Sequence, residues 1–159
     1  MKIIAVRGDI TRVEVDAVVN PAHPIPRLQR RVEDKLVEQA GTEVERERMA
    51  RGPLRVGEAM LTTGGRLRCK YVIHAPVSDT AMPVDPEGVA MSTRAALRCA
   101  AGSRLRTVAI PAFPRGELAT RALVKALRDF DEDGLEEVFI VAPNGRIVSA
   151  IKKEIVSAQ

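Results

Sequence analysis

Val13-Glu14-Val15-Asp16-Ala17-Val18-Val19-Asn20 runs straight into Pro21-Ala22-His23-Pro24-Ile25-Pro26. The first part is apolar and β-branched, and reads as a strand over residues 13–20. The second carries three prolines within six residues, which excludes both helix and central strand. A strand therefore ends on an amide side chain and opens into an irregular loop. Upstream, residues 2–6 form a shorter apolar strand, closed by Arg7-Gly8-Asp9. Downstream, Leu28, Val32, Leu36 and Ala40 recur every four residues, the stripe of an amphipathic helix, and Gly41 ends it.

The alternation continues along the chain. Residues 42–51 are polar and predict a second, solvated helix with Thr42 as its N-cap. Residues 57–63 and 70–75 form a strand pair around Gly64-Gly65. Val89, Thr93, Ala96, Leu97 and Ala100 mark a helix, and residues 107–112 a buried strand that Pro111 ends early. Leu118, Ala119, Ala122, Leu123, Ala126, Leu127 and Phe130 give the clearest helical stripe. Residues 137–142 form another buried strand, and Ile147, Val148, Ile151 and Ile155 the face of a last helix. Apolar strands alternating with amphipathic helices predict an α/β fold. The expected architecture is three α/β/α layers around a mixed, mostly parallel sheet of about six strands, with helices on both faces.

In such sheets ligands bind beyond the carboxyl ends of the strands. Four segments leave those ends: Gly8-Asp9-Ile10, Asn20-Pro21-Ala22-His23, Phe113-Pro114-Arg115-Gly116 and Pro143-Asn144-Gly145. If the strands are parallel, all four open on one edge.

The composition narrows the classes of function. The 159 residues suit one domain spanning 1–159, and 45% apolar content fills one core. There are no internal repeats, low-complexity tracts or apolar runs long enough for a bilayer. The start Met1-Lys2-Ile3-Ile4 lacks the pattern of a signal peptide, so a cytoplasmic protein with no membrane partner is expected. Cys69 and Cys99 are isolated and read as buried thiols; no metal site is expected. A net charge of +4, mostly from Arg, favours anionic ligands. With 3% aromatics, no Trp and no basic run, nucleic acid is disfavoured. Scarce Asn and Gln give a thermophile-like composition, which a GC-rich genome would also produce.

The candidate residues lie in the strand-end loops. Asp9, beside Ile10, could accept a hydrogen bond from an exocyclic amine such as adenine N6; an Asx turn or helix cap is its other ordinary use. Asn20 could hold a ribose hydroxyl, and His23 could act as a base or hydrogen-bond partner. Arg30 and Arg31 precede Val32 in the first helix and could grip phosphate, or belong to a solvated face with Glu33 and Asp34. Phe113, Arg115 and Gly116 form a candidate phosphate loop, and Asn144 sits in the last strand-end turn. His74 closes the apolar run Tyr71-Val72-Ile73 and reads as a satisfied strand histidine. No nucleophile elbow, Walker loop or pair of carboxylates placed for acid–base work is present.

Gly8-Asp9-Ile10-Thr11, Val15-Asp16-Ala17-Val18-Val19-Asn20-Pro21-Ala22, Val56-Gly57-Glu58-Ala59, Tyr71-Val72-Ile73-His74 and Thr107-Val108-Ala109-Ile110-Pro111-Ala112 together resemble the macro domain, the ADP-ribose-binding module. The resemblance covers nearly the whole chain, in order. It implies that Asp9 meets the adenine amine and that Asn20 is the first Asn of an Asn-Ala-Ala-Asn strand end. It also implies ADP-ribose or a related phosphorylated nucleotide as ligand, an ADP-ribosylated protein as a further partner, and no cofactor or metal.

The departures from the family pattern are specific. His23 stands where the second Asn, near the distal ribose in hydrolytic members, would be. Gln29, Arg30 and Arg31 replace a glycine triplet at the pyrophosphate, where Cβ-bearing residues take space that glycine leaves empty. The second phosphate loop is reduced to Pro114-Arg115-Gly116, and Pro143 falls where an adenine-stacking aromatic often stands. The arginines either supply charge in place of backbone donors or fill the cleft. Three functions follow as expectations: nucleotide binding without efficient hydrolysis, ADP-ribosyl or O-acetyl-ADP-ribose hydrolysis using His23, and a structural or nucleic-acid-interacting protein with a closed pocket.

Overall fold

Val138, Ile140 and Ala142 turn toward one face of a sheet, and Phe139 and Val141 toward the other. A strand apolar on both sides must be covered on both sides, and the rest of the chain supplies the cover. The computed structural model describes residues 1–21, 32–78, 85–112 and 116–158, with the backbone alone at 32–34. Its strands are β1 (Lys2–Arg7), β2 (Ala17–Asn20), β3 (Met60–Thr63), β4 (Tyr71–His74), β5 (Thr107–Pro111) and β6 (Glu137–Ala142). Its helices are α1 (Val32–Ala40), α2 (Thr42–Ala50), α3 (Pro86–Gly102), α4 (Glu117–Arg128) and α5 (Gly145–Ser157), with a single 3-10 turn at Ile10–Arg12.

The six strands lie in the order β1-β6-β5-β2-β4-β3. Every neighbouring pair is parallel except β3 with β4. Ala17, Val19, Ile73, Val108, Ile110, Val138 and Ile140 form one core with Val89, Leu97, Leu123, Leu127, Val148 and Ile151 of α3, α4 and α5. On the other face Val18, Val72, Ala109 and Val141 pack with Leu36 of α1, Val15 and Cys69. The period of two along each strand thus sorts the side chains between two layers of cover, as the α/β/α expectation requires.

Four local expectations are corrected. The strand expected over 13–20 pairs only at Ala17–Asn20, because the Ile10–Arg12 turn and Asp16 take over the backbone before it. Asp16 O accepts from Lys70 N and Tyr71 N, and Asp16 N donates to a side chain, Thr107 Oγ1, at 2.9 Å. Thr42 is the first residue of α2 rather than its cap; Gly41, at φ 104°, holds the cap position without a side-chain bond. Nor is α2 wholly solvated, since Val44 and Arg48 are buried. Of the two thiols, Cys69 is buried but Cys99 only partly so.

The amino ends of three strands are tied by one carboxylate. Asp16 Oδ2 accepts from Arg106 N at 2.8 Å and Thr107 N at 3.1 Å, and Lys70 Nζ lies 3.6 Å from Oδ1. Burial pushes this carboxyl upward, but the two amides and Lys70 more than offset it, and it titrates below its ordinary value. The carboxyl ends, at the opposite edge, are left for the loops.

Candidate functional site

Because β1, β6, β5 and β2 are adjacent and parallel, the loops that follow them stand in a row along one edge. Asp9 follows β1, Asn144 follows β6, Gly116 lies beyond β5, and Asn20 ends β2. Three strand spacings separate the β1 and β2 ends, about 14 Å.

Asp9 is exposed and caps the Ile10–Arg12 turn. Its Oδ1 accepts from Thr11 N at 2.9 Å and from Thr11 Oγ1 at 2.6 Å. The Thr11 hydroxyl and amide bonds, with Lys35 and Arg12 nearby, hold the carboxyl below its ordinary range despite some desolvation. The cap reading of Asp9 is the one the structure shows, through Oδ1, and the carboxylate remains charged at the surface. Ile10 beside it is half-buried against the α1-side core.

Asn20 differs in kind. It is 2% exposed. Its Nδ2 lies 3.2 Å from His74 Nδ1, and its main-chain oxygen accepts from Ala75 N at 2.9 Å. Its Oδ1 is buried and has no partner among the described residues. A buried unmatched carbonyl costs roughly 1–3 kcal/mol, so this atom calls for a donor.

His74 is fully buried, and its other nitrogen, Nε2, lies 2.9 Å from Thr62 Oγ1. Burial, with the nearby Arg48 charge, pushes the imidazole down to about 3. It is neutral at any ordinary pH, with both nitrogens engaged, as a satisfied strand histidine should be. Arg48 is buried in α2 and donates from Nη1 to Gly52 O at 2.6 Å. Thr62 and Arg48 escaped the sequence reading. The signal for Thr62 was its place two residues after Met60, on the buried register of β3; that for Arg48 was its spacing of four from Val44.

At β5 and β6 the helices present their amino ends. Gly116, at φ 101°, precedes α4 without a side-chain cap bond. A Cβ on it would meet nothing within 4 Å. Asn144 Oδ1 accepts from Ile147 N at 3.0 Å and so caps α5. Val32 is the first residue of α1. His23, Arg30, Arg31, Phe113 and Arg115 lie outside the described residues, as do Gln29 and Pro114. Among the described residues no group of three or more His, Cys, Asp and Glu could hold a metal ion, and no helix is long and apolar enough to cross a membrane.

Comparison with known proteins places this geometry. A family model of the Macro domain matches residues 19–122. An uncharacterized protein of Aquifex aeolicus is 39% identical over 160 residues, covering 96% of this chain and 97% of its own. An uncharacterized protein of Mycobacterium tuberculosis is 32% identical over 138 residues, and the match spans only 38% of its length. Among solved structures, the Trypanosoma brucei macrodomain in complex with ADP superposes with a TM-score of 0.85 at 24% identity, over 97% of this chain and 69% of the other. The Oceanobacillus iheyensis macrodomain with ADP gives 0.81 at 20% identity, over 97% and 90%.

Proposed function

Since the chain belongs to the macro domain family, we propose that its strand-end cleft binds ADP-ribose or a closely related phosphorylated nucleotide, free or attached to a protein, without efficient hydrolysis. The observation that carries the reading is Asn20: a buried amide at the end of β2 whose Oδ1 lacks a donor, in line with the charged Asp9 at the end of β1. A ligand with adenine at Asp9 and a sugar hydroxyl at Asn20 has to reach about 14 Å, with its phosphates crossing the ends of β6 and β5. The uncapped amino end of α4 at Gly116 supports an anion there. The macrodomains of similar fold from Trypanosoma brucei and Oceanobacillus iheyensis hold ADP.

Weak turnover is supported by His74. The titratable ring beside Asn20 is neutral and occupied at both nitrogens, so it offers no base to activate water. The other histidine, His23, is the residue to test for any residual cleavage.

ADP-ribose at about 100 times its Kd should stabilise the fold by roughly 2.7 kcal/mol. A melting curve unmoved by millimolar ADP-ribose overturns the binding reading. Rapid release of ADP-ribose from a modified protein, abolished by His23→Ala, overturns the absence of efficient hydrolysis and assigns that residue the role of base.

A further inference from the structure

Three side chains on three strands form one directed hydrogen-bond chain beneath the β2 end of the cleft. Asn20 and His74 are register partners across β2 and β4. Thr62 reaches the same ring from β3. Thr62 Oγ1 has one proton, and a carbonyl to receive it: Thr63 O at 3.1 Å. With that proton assigned to Thr63 O, the hydroxyl oxygen, 2.9 Å from His74 Nε2, is left to accept, which calls for the Nε2–H tautomer. The neutral ring carries a single proton, so Nδ1 is then the lone pair, and it accepts from Asn20 Nδ2 at 3.2 Å. The amide is thereby turned with its donor inward. Oδ1, buried and unpartnered among the described residues, is the end left over.

We infer that Thr62 and His74 are positioning residues that fix Asn20 as an acceptor and so make the β2 end of the cleft select a ligand bearing a hydroxyl donor there over one ending in phosphate oxygens. This rests on the nucleotide-binding reading above and says which end of the nucleotide the chain discriminates. A ribose hydroxyl can donate to Oδ1; an ionised terminal phosphate offers only acceptors and would set oxygen against oxygen. A site built to pair a donor rejects a ligand lacking it, because the buried carbonyl stays unmatched. ADP-ribose and ADP share the adenosine diphosphate and differ in that terminal sugar, which makes them the matched pair of probes.

Removing the Thr62 hydroxyl reverses the chain. In Thr62→Val the Nε2–H has no acceptor, the proton moves to Nδ1, and Nδ1–H takes Asn20 Oδ1. The amide then offers Nδ2 to the cleft, a donor suited to phosphate oxygen. Thr62→Val keeps nearly the same volume, so the core need not change, while Thr62→Ser keeps the hydroxyl.

The test is calorimetric titration of the whole chain with ADP-ribose and with ADP. The wild-type protein should prefer ADP-ribose by about 10-fold, the worth of one buried hydrogen bond. Thr62→Val should bring that ratio to about 1 or below with ADP affinity kept or improved, and Thr62→Ser should restore it. A merely structural role would weaken both ligands together. A ratio unchanged in Thr62→Val, or an equal loss for both ligands, overturns the inference and leaves nucleotide binding standing. A wild-type protein that binds neither ligand overturns both. If Thr62→Val does not fold, His74→Phe, which keeps a ring without nitrogens, should show the same collapse of the ratio. Independently of any ligand, the 15N resonances of His74 in the wild-type protein should report the Nε2–H tautomer; the Nδ1–H tautomer overturns the inference.

Discussion

Asn20 and His74 face each other in register on β2 and β4, and their side chains meet at 3.2 Å inside the protein. This contact joins the candidate cleft to a buried imidazole, and a proton added at its Nδ1 would set donor against donor at Asn20 Nδ2.

That imidazole should make stability depend on pH. His74 in the fold is pushed down to about 3, from an ordinary 6.5. Between those values the unfolded chain binds the proton and the folded chain does not. The stabilisation is therefore present in full above pH 6.5 and is lost as pH falls, by about 1.4 kcal/mol per pH unit at the steepest. Asp9 and Asp16 titrate below their ordinary 3.8, so their contributions are lost only in more acidic solution. Urea unfolding of wild type and His74→Phe at pH 7, 6 and 5 should show the wild type losing stability and the variant much less. Parallel profiles would remove His74 as the cause.

Asp9 should matter to the base of the nucleotide. Asp9→Ala should weaken ADP-ribose by roughly 10- to 100-fold, the range for a hydrogen bond to a charged group. The hypoxanthine analogue, which lacks the exocyclic amine, should bind wild type and variant alike. Thr11→Val, which removes the hydroxyl held by Oδ1 but keeps the carboxylate, should change affinity far less. Equal losses for both nucleotides in Asp9→Ala would show that Asp9 acts only as a cap.

Asp16 should behave in the opposite way. Asp16→Ala leaves the Arg106 and Thr107 amides without their acceptor and should cost about 1–3 kcal/mol. It lies at the amino ends of the strands, so the ADP-ribose Kd of the folded variant should stay within about two-fold, well under the ten-fold that 1.4 kcal/mol would bring. A chemical denaturation curve and one titration check both halves.

Gly88 should resist even alanine. A Cβ there would sit 2.0 Å from Val77 O, in the first turn of α3, where Gly88 N donates to Asp85 Oδ1 at 2.6 Å. Gly88→Ala gains up to about 1 kcal/mol of helix propensity, yet it must displace backbone, and overpacking costs about 1–3 kcal/mol or more. The expected result is a lower melting temperature, by about 2–4 °C for each kcal/mol lost in a domain of this size.

Periodicity carried most of the architecture into view. The helical stripe from Leu118 to Leu127 became α4, with Phe130 just beyond its end, and the apolar run at 137–142 is β6 residue for residue. What it could not show was partnership. An extended β-branched run such as 13–16 looks the same whether or not a neighbour pairs with it. A polar helix such as α2 hides Arg48, because a buried charge breaks the very stripe that would announce burial. The strand-end row of Asp9, Asn20, Gly116 and Asn144 was legible once parallel strands were assumed. The Thr62–His74–Asn20 chain was not, since Asn20 and His74 stand 54 residues apart in sequence and only the register of β2, β4 and β3 joins them.

β1 lies at one margin of the sheet and takes its ladder from β6, the last strand of the chain. Gly8 N, next to Asp9, donates to Ala142 O at 2.9 Å. Asp9 is thus translated well before β6, the strand that holds β1 in the sheet. A chain leaving the ribosome carries Asn20 and Asp9 long before residue 142 can close β1 against the sheet. The row of strand-end loops from β1 to β2 can therefore assemble only once β6 has been made and paired.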